Sequence, residues 1–590
     1  MLLAATMSDE PARLLLLQAR LWPTAAAASR RLQTLLASAQ ADLVVLPAAC
    51  LGERPLAPAT GLRRLAPLAQ APGALLAGSF TTPEGELPFL LAGDGSVLQA
   101  GAAEHPALTP LGAVAVLTEQ QLALPEAVRA LALAGAELLL VPVRTSRSRR
   151  LGEAMRAAAC TRAFENCLAL ALVDAGGYAP ISPQPHDGSS GVTAWIAPSG
   201  RVLDATDGPG EASLAVSFDL AALRRQRRSP ANPLLQLRPP LYAPSYHRLR
   251  MPEPPPEEAP PPVTLCCLQA DIAVIETVAQ KDAVVDRNLA RTADLVAEAV
   301  VGGARVVVFP EFWLQGFVWG RSVAEWQAVC FQVPGPETAA LGAIARRWGV
   351  YLAGAVFEVD PAWPGRWFTT ALLVSPAGEV VLRARKLHSS NILGQLPDSS
   401  PGDILAAYGT ADLFPVAPTP YGRLAVTASS DLSWPEVARG FRLAGAEILL
   451  QAAGSPHTPQ ATVADLVRQA RARENGMVIA SANYGRLLGG RHPEAMSRGY
   501  SQVVDWTGEV LGRIEGQGEA YLRATIDLGP LRQARARQPL AALARYASFW
   551  DNRTLCPVNR WLERPLTDLA EARAVLPEVI AALNAAGVLR

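Results

Sequence analysis

The sequence predicts an α/β protein built from two copies of one layered domain. Short Val/Leu/Ile runs alternate with Ala/Leu/Arg segments of helical period: Arg305–Phe309 is an expected strand and Glu436–Gly445 an expected helix. The strand runs are apolar throughout (VVVF, EILLQ), so both sheet faces should be covered by other layers. One long stretch is written twice. GAVAVLTEQQLALPEAVRALALAGAELLLVP at 112–142 aligns without a gap on GRLAVTASSDLSWPEVARGFRLAGAEILLQA at 422–452, an offset of 310 (422 minus 112).

Other landmarks recur in the same order. Gln18 after LLLL matches Gln269 after LCCL, and LVVLPA before Ala49 matches VVVFPE before Phe312. LLAGSF at 75–80 matches YLAGAVF at 351–357. Arg162, Glu165 and Asn166 match Arg471, Glu474 and Asn475; IAPSGRVLDA matches VDWTGEVLGR, and SFDLAALRRQRRSP matches TIDLGPLRQARARQP. The period is too long for a solenoid, so a whole domain has been duplicated. Between the copies lies MPEPPPEEAPPPV, 251–263, an expected extended and solvated spacer. The expected domains are 1–250 and 264–545, with a tail at 546–590 that ends in a helix-like segment.

Composition bounds the function. Half of the 590 residues are hydrophobic and 18% are charged, which supplies a large core. Lys+Arg and Asp+Glu are both 53, and that balance argues against a nucleic-acid partner or an anionic membrane. The seven cysteines (50, 160, 167, 266, 267, 330, 556) are too scattered for a disulfide framework and lack metal-type spacing. The start has no basic leader, so no signal peptide is expected. The longest apolar stretches, such as Ala130–Val143, fall short of the ~20 residues that span a bilayer. A cytoplasmic location is expected. Lys281 and Lys386 are the only two lysines, so the chain uses Arg wherever any cation will serve.

Three positions in the second half could do chemistry. Glu311 follows the strand RVVVF, at the sheet edge where ligands of α/β folds gather. Lys386 closes EVVLRARK, and its compact ammonium is not reproduced by Arg. Ser429 ends RLAVTAS just before a helix, where free N–H donors and the dipole favour a nucleophile or an oxyanion. Ser433-Trp-Pro-Glu436 reads as a capping box with Pro in the first turn.

The order of these signals is FPE, RK-x-H, a strand ending in a nucleophile, D-x-x-x-P-E, R-x-x-x-x-A-G-A, R-A-x-E-N and G-x-S-x-V. It resembles the nitrilase, or carbon–nitrogen hydrolase, superfamily over most of both halves. The resemblance implies an α-β-β-α sandwich, here in tandem, and hydrolysis of small amides, nitriles or carbamoyl compounds by a Glu-Lys-Cys triad. By resemblance Glu311 is the general base and Lys386 stabilises the tetrahedral intermediate. No metal or organic cofactor is implied, and the partner is a small molecule.

The chain departs from the family at the nucleophile, which is Ser429 rather than Cys. A thiol gives thiolate near neutrality, whereas a hydroxyl needs a base placed to take its proton during attack. The family's second glutamate has no evident counterpart; Gln395 and Asp398 lie nearby. In the first half Ala48, Ala103 and Glu119 stand at the three positions, so no family-type catalysis is expected there. His388 and His105 recur in both halves, as do Glu436 and Glu126 and the Glu-Asn pairs, and all read as structural. Trp313, Phe317, Trp319 and Trp434 either line the pocket or pack. Family members pair through the helix after the nucleophile strand, so Ala127–Gly135 is expected to face Val437–Gly445 within one chain; a homo-oligomer is left open. Two functional readings result: a hydrolase acting through the second domain, and a pseudoenzyme that binds or regulates without turnover.

Overall fold

The computed structural model describes residues 10–144, 149–177, 191–206, 208–250, 258–318, 320–388, 405, 409, 413–455, 462–489, 495–497, 499–537, 540–551 and 569–590. Positions 251–257 of the Pro-rich spacer, Trp319, Gln395, Asp398, Cys556 and residues 552–568 of the tail lie outside them.

Two compact units are present: Met1–Leu235 with Ile580–Arg590, and Gln236–Val579. Residues 236–250, read in the sequence as the close of the first domain, are therefore part of the second unit. Aromatic packing explains this: Tyr242 and Tyr246 lie edge-on to Trp550, with ring centroids 5.2 and 6.1 Å away. His247 Nε2 also meets Asp551 at 2.7 Å. In the first unit, buried Arg227 donates to the carbonyl of Val588 at 2.9 Å, which ties in the 580–590 segment.

Each unit holds two six-stranded sheets. In the second unit one sheet runs, edge to edge, Val380–Arg385, Phe368–Val374, Tyr351–Glu358, Val306–Val308, Val263–Gln269 and Ala520–Ile526. The other runs Val416–Thr419, Gly422–Ala428, Ile448–Ala452, Val478–Ala482, Gln502–Val504 and Val510–Arg513. The central strands are parallel and the outer ones antiparallel. The first unit repeats both orders, from Ala212–Phe218 to Val97–Ala100 and from Val202–Ala205 to Ala107–Thr109.

Strand 263–269 shows why the runs are apolar throughout. Leu265 and Cys267 face the other sheet, among Val306, Val426 and Leu450. Cys266 and Leu268 face outward, beneath Leu295 and Val296 of helix Lys281–Val301 and Leu341 of helix Pro336–Trp348. Both faces are buried, so both registers must be apolar. The expected α-β-β-α sandwich is formed, twice.

Recurring landmarks explain themselves as supports. Gln18 Nε2 donates to the carbonyls of Gly208 and Gly210 (2.8 and 2.9 Å), and Gln269 Nε2 to those of Gly516 and Gly518 (2.9 and 2.7 Å). Arg162 pairs with Glu165 (2.7 Å) and donates to the Leu122 carbonyl (3.1 Å). Arg471 pairs with Glu474 (2.8 Å) and donates to the Leu432 carbonyl (2.8 Å). Glu137 with Arg224 and Glu447 with Arg532 repeat the same pairing, both at 2.6 Å. Among the described residues no helix is long and apolar enough to cross a membrane.

Candidate active site

Glu311 follows strand Val306–Val308 and is held by its own N–H, which donates to the Ala453 carbonyl at 3.0 Å. The next residue, Phe312, has φ 48° and turns the chain so that the carboxylate points inward, where Glu311 is only 5% exposed. A side chain at Gly454 would collide with the Glu311 carboxylate and the Phe312 ring, so glycine is required there.

Lys386 follows strand Val380–Arg385, with its N–H on the Thr369 carbonyl at 2.9 Å. Ser429 follows strand Gly422–Ala428 and opens a 3₁₀ turn, Ser429–Ser433. Its φ is 53°, a left-handed conformation that L-residues rarely adopt. The expected capping box at Ser433 does not form. Ser433 ends the 3₁₀ turn and its carbonyl is taken by Arg471 at 3.1 Å. Helix Pro435–Leu443 therefore begins from Trp434, with no side-chain cap.

The three side chains converge. Lys386 Nζ donates to Ser429 Oγ at 3.2 Å, and Glu311 lies close enough for both Lys386 and Ser429 to act on its carboxylate. Burial pushes the Glu311 carboxyl above the usual carboxylate range; Lys386 and Ser429 pull it down and the Asp431 charge pushes it up again. Nearby Tyr484 is raised to about 12, by burial first and by the Glu311 charge second.

Asp431 ties two of the three positions together. It accepts from the backbone N–H of Leu387 (2.8 Å) and of His388 (2.9 Å), immediately after Lys386, while itself sitting in the turn that Ser429 opens. His388 is buried, with Nδ1 3.1 Å from Asp431 and Nε2 on the Tyr242 hydroxyl. Its ring stacks on Trp434 at 3.9 Å. Trp434 thus packs, as does Trp313, which stacks on Phe309 at 4.2 Å and donates to Thr292 at 2.8 Å. Phe317 packs on Phe312 and Trp326.

The sequence reading passed over Asp431, Gly454 and Tyr484. Asp431 was within reach, as the first member of D-x-x-x-P-E. Gly454 and Tyr484 carry no signal until the fold brings them to Glu311. Among the described residues no group of three or more His, Cys, Asp or Glu could hold a metal ion.

Among the described residues of the first unit nothing comparable assembles. Ala48 and Ala103 are buried, and Glu119 starts a short helix, Glu119–Ala123, behind a Thr118/Gln121 capping box. His105, the counterpart of His388, is exposed.

Residues 267–536 match the family model of carbon-nitrogen hydrolases. Omega-amidase NIT2 of Xenopus tropicalis is 26% identical over 261 residues, 44% of this chain and 90% of that protein. The human omega-amidase NIT2 is 26% identical over 255 residues, 43% and 87%. Among solved structures, Saccharomyces cerevisiae Nit3, of the nitrilase superfamily, gives a TM-score of 0.37 at 20% identity over 47% of this chain and 95% of that one. An amidase from Nesterenkonia gives 0.35 at 23% identity over 47% and 94%.

Proposed function

We propose that the second unit hydrolyses a small non-peptide amide, nitrile or carbamoyl compound, with Ser429 as nucleophile, Glu311 as base and Lys386 as electrostatic stabiliser. The observation that carries this reading is one part-buried point of convergence: a hydroxyl that meets an ammonium at 3.2 Å, beside a buried carboxylate.

For an amide the steps follow from that geometry. Ser429 Oγ attacks the carbonyl carbon while Glu311 takes its proton. The elevated proton affinity of Glu311 matters, because a hydroxyl gives up its proton only to a strong enough base. The oxyanion that forms is faced by Lys386, on the side from which it already donates to Ser429. Glu311 passes the proton to the departing nitrogen, ammonia or an amine leaves, and an ester to Ser429 remains. Water, deprotonated by Glu311, then attacks the ester, and the carboxylic acid departs.

The second reading, a pocket that binds without turnover, is favoured by one observation: a serine stands where the family's thiol would be. Incubation with a panel of amides, nitriles and carbamoyl compounds, followed by intact-mass measurement, separates the two. An acyl adduct on Ser429 or released ammonia supports the hydrolase. Ligand binding with neither supports the binding protein.

A further inference from the structure

We infer that Gln451 and Arg468 are positioning residues that hold Ser429 in its left-handed turn, an inference that rests on reading Ser429 as the nucleophile. Gln451 ends strand Ile448–Ala452, beside strand Gly422–Ala428, and its Nε2 donates to the Ser429 carbonyl at 2.8 Å. Arg468, in helix Val463–Asn475, is 2% exposed and donates through Nε to Gln451 Oε1 at 2.9 Å. Its Nη1 donates to the Tyr500 carbonyl at 3.1 Å, and Asp465 lies 3.9 Å away.

The chemistry of the two side chains makes the arrangement directional. A guanidinium only donates, so the Gln451 oxygen must face it and the Gln451 nitrogen must face Ser429. The peptide after Ser429 is planar, so a hydrogen bond that fixes its carbonyl also fixes the direction of the Ser430 N–H. That N–H belongs to the first residues of the 3₁₀ turn, whose donors have no partner within the turn. The same bond limits the torsions of Ser429, whose φ of 53° is otherwise sparsely populated.

The first unit separates this role from a need of the fold. Repeat alignment places Val141 opposite Gln451 and Ala159 opposite Arg468, and both are fully buried. The strand and the helix form there with apolar residues at both places. Arg162 and Arg471, by contrast, recur in both units. A buried arginine that the scaffold does without is costly to place, and here it occurs only where the turn presents a hydroxyl.

The test uses the full chain carrying Ser429→Cys, whose new thiol reports the site without any knowledge of the substrate. Iodoacetamide alkylation of the peptide that contains position 429 is followed by mass spectrometry between about pH 6 and pH 9, where an ordinary thiol titrates near 8.5. The same measurement is made with Gln451→Val, Gln451→Glu or Arg468→Met added. Gln451→Glu keeps an acceptor for Arg468 but removes the donor to the carbonyl. The expected result is a thiol that reacts fastest in the parent at pH 7. Each added substitution should slow it about tenfold and move its profile toward that of a free thiol, while cooperative thermal unfolding is kept in at least one variant. Equal rates and profiles in all four proteins would overturn the positioning role and leave the site reading intact. A parent thiol no more reactive than a free one would overturn the site reading, and the positioning role with it.

Discussion

At the end of strand Gly422–Ala428 the second unit turns left-handed through Ser429, whereas at the end of Gly112–Val116 the first unit runs into a short capped helix that starts at Glu119. The sheets around the two places have the same strand order, and Arg162 and Arg471 share two bonds, one to a glutamate three residues on and one to a leucine carbonyl. The polar groups differ completely: Glu311, Lys386, Asp431, Gln451 and Arg468 stand opposite Ala48, Ala103, Gln121, Val141 and Ala159. Even the space changes hands. Gly454, which leaves room for the Glu311 carboxylate, faces Arg144 in the alignment, and that arginine pairs with Glu53 at 2.9 Å. Duplication has thus run a natural control, in which residues shared by both copies serve the scaffold and residues confined to one serve the proposed chemistry.

The sharpest way to break this division is a pair of substitutions. Ser429→Ala should lower turnover by about 10⁴-fold or more, while Glu119→Ala leaves it unchanged in the same assay. The reverse outcome would move the chemistry to the first unit. Next in size, Arg162→Met and Arg471→Met should each cost about 3–5 kcal/mol in thermal unfolding, because each strands a buried glutamate. A large loss in only one unit would end the claim of a shared scaffold.

Lys386→Arg should cost about 10²-fold in turnover, since a planar fork does not replace a compact ammonium beside Ser429. The smallest expected effect is a shift. With Glu311 as the proposed base, activity should fall as pH drops through the raised Glu311 pKa, above the ordinary carboxylate range. Asp431→Asn removes a neighbouring negative charge, lowers that pKa and should move the acid limb to lower pH. A limb that stays put or rises would show that Asp431 acts only as a tether.

Much of this was legible in the residues. Doubly apolar strand runs predicted covered sheets, and the offset of 310 predicted the repeat, because packing on both faces leaves a mark at every position. Glu311, Lys386 and Ser429 were legible through order along the chain. The 3₁₀ turn was not: S-W-P-E has the letters of a capping box, yet Arg471, distant in sequence, takes the Ser433 carbonyl. Gln451 and Arg468 were also hidden. A glutamine closing an apolar strand and one more arginine among many gain meaning only when the fold puts them 2.9 Å apart.

The composition of the first unit has a consequence for how the chain is made. Val588 and Leu589 are buried in it, and Arg227 holds the Val588 carbonyl, yet these residues leave the ribosome after the whole second unit. Arg227 can reach the Ala136 carbonyl within the first unit at once, but its second partner, the Val588 carbonyl, exists only after the second unit has been synthesised.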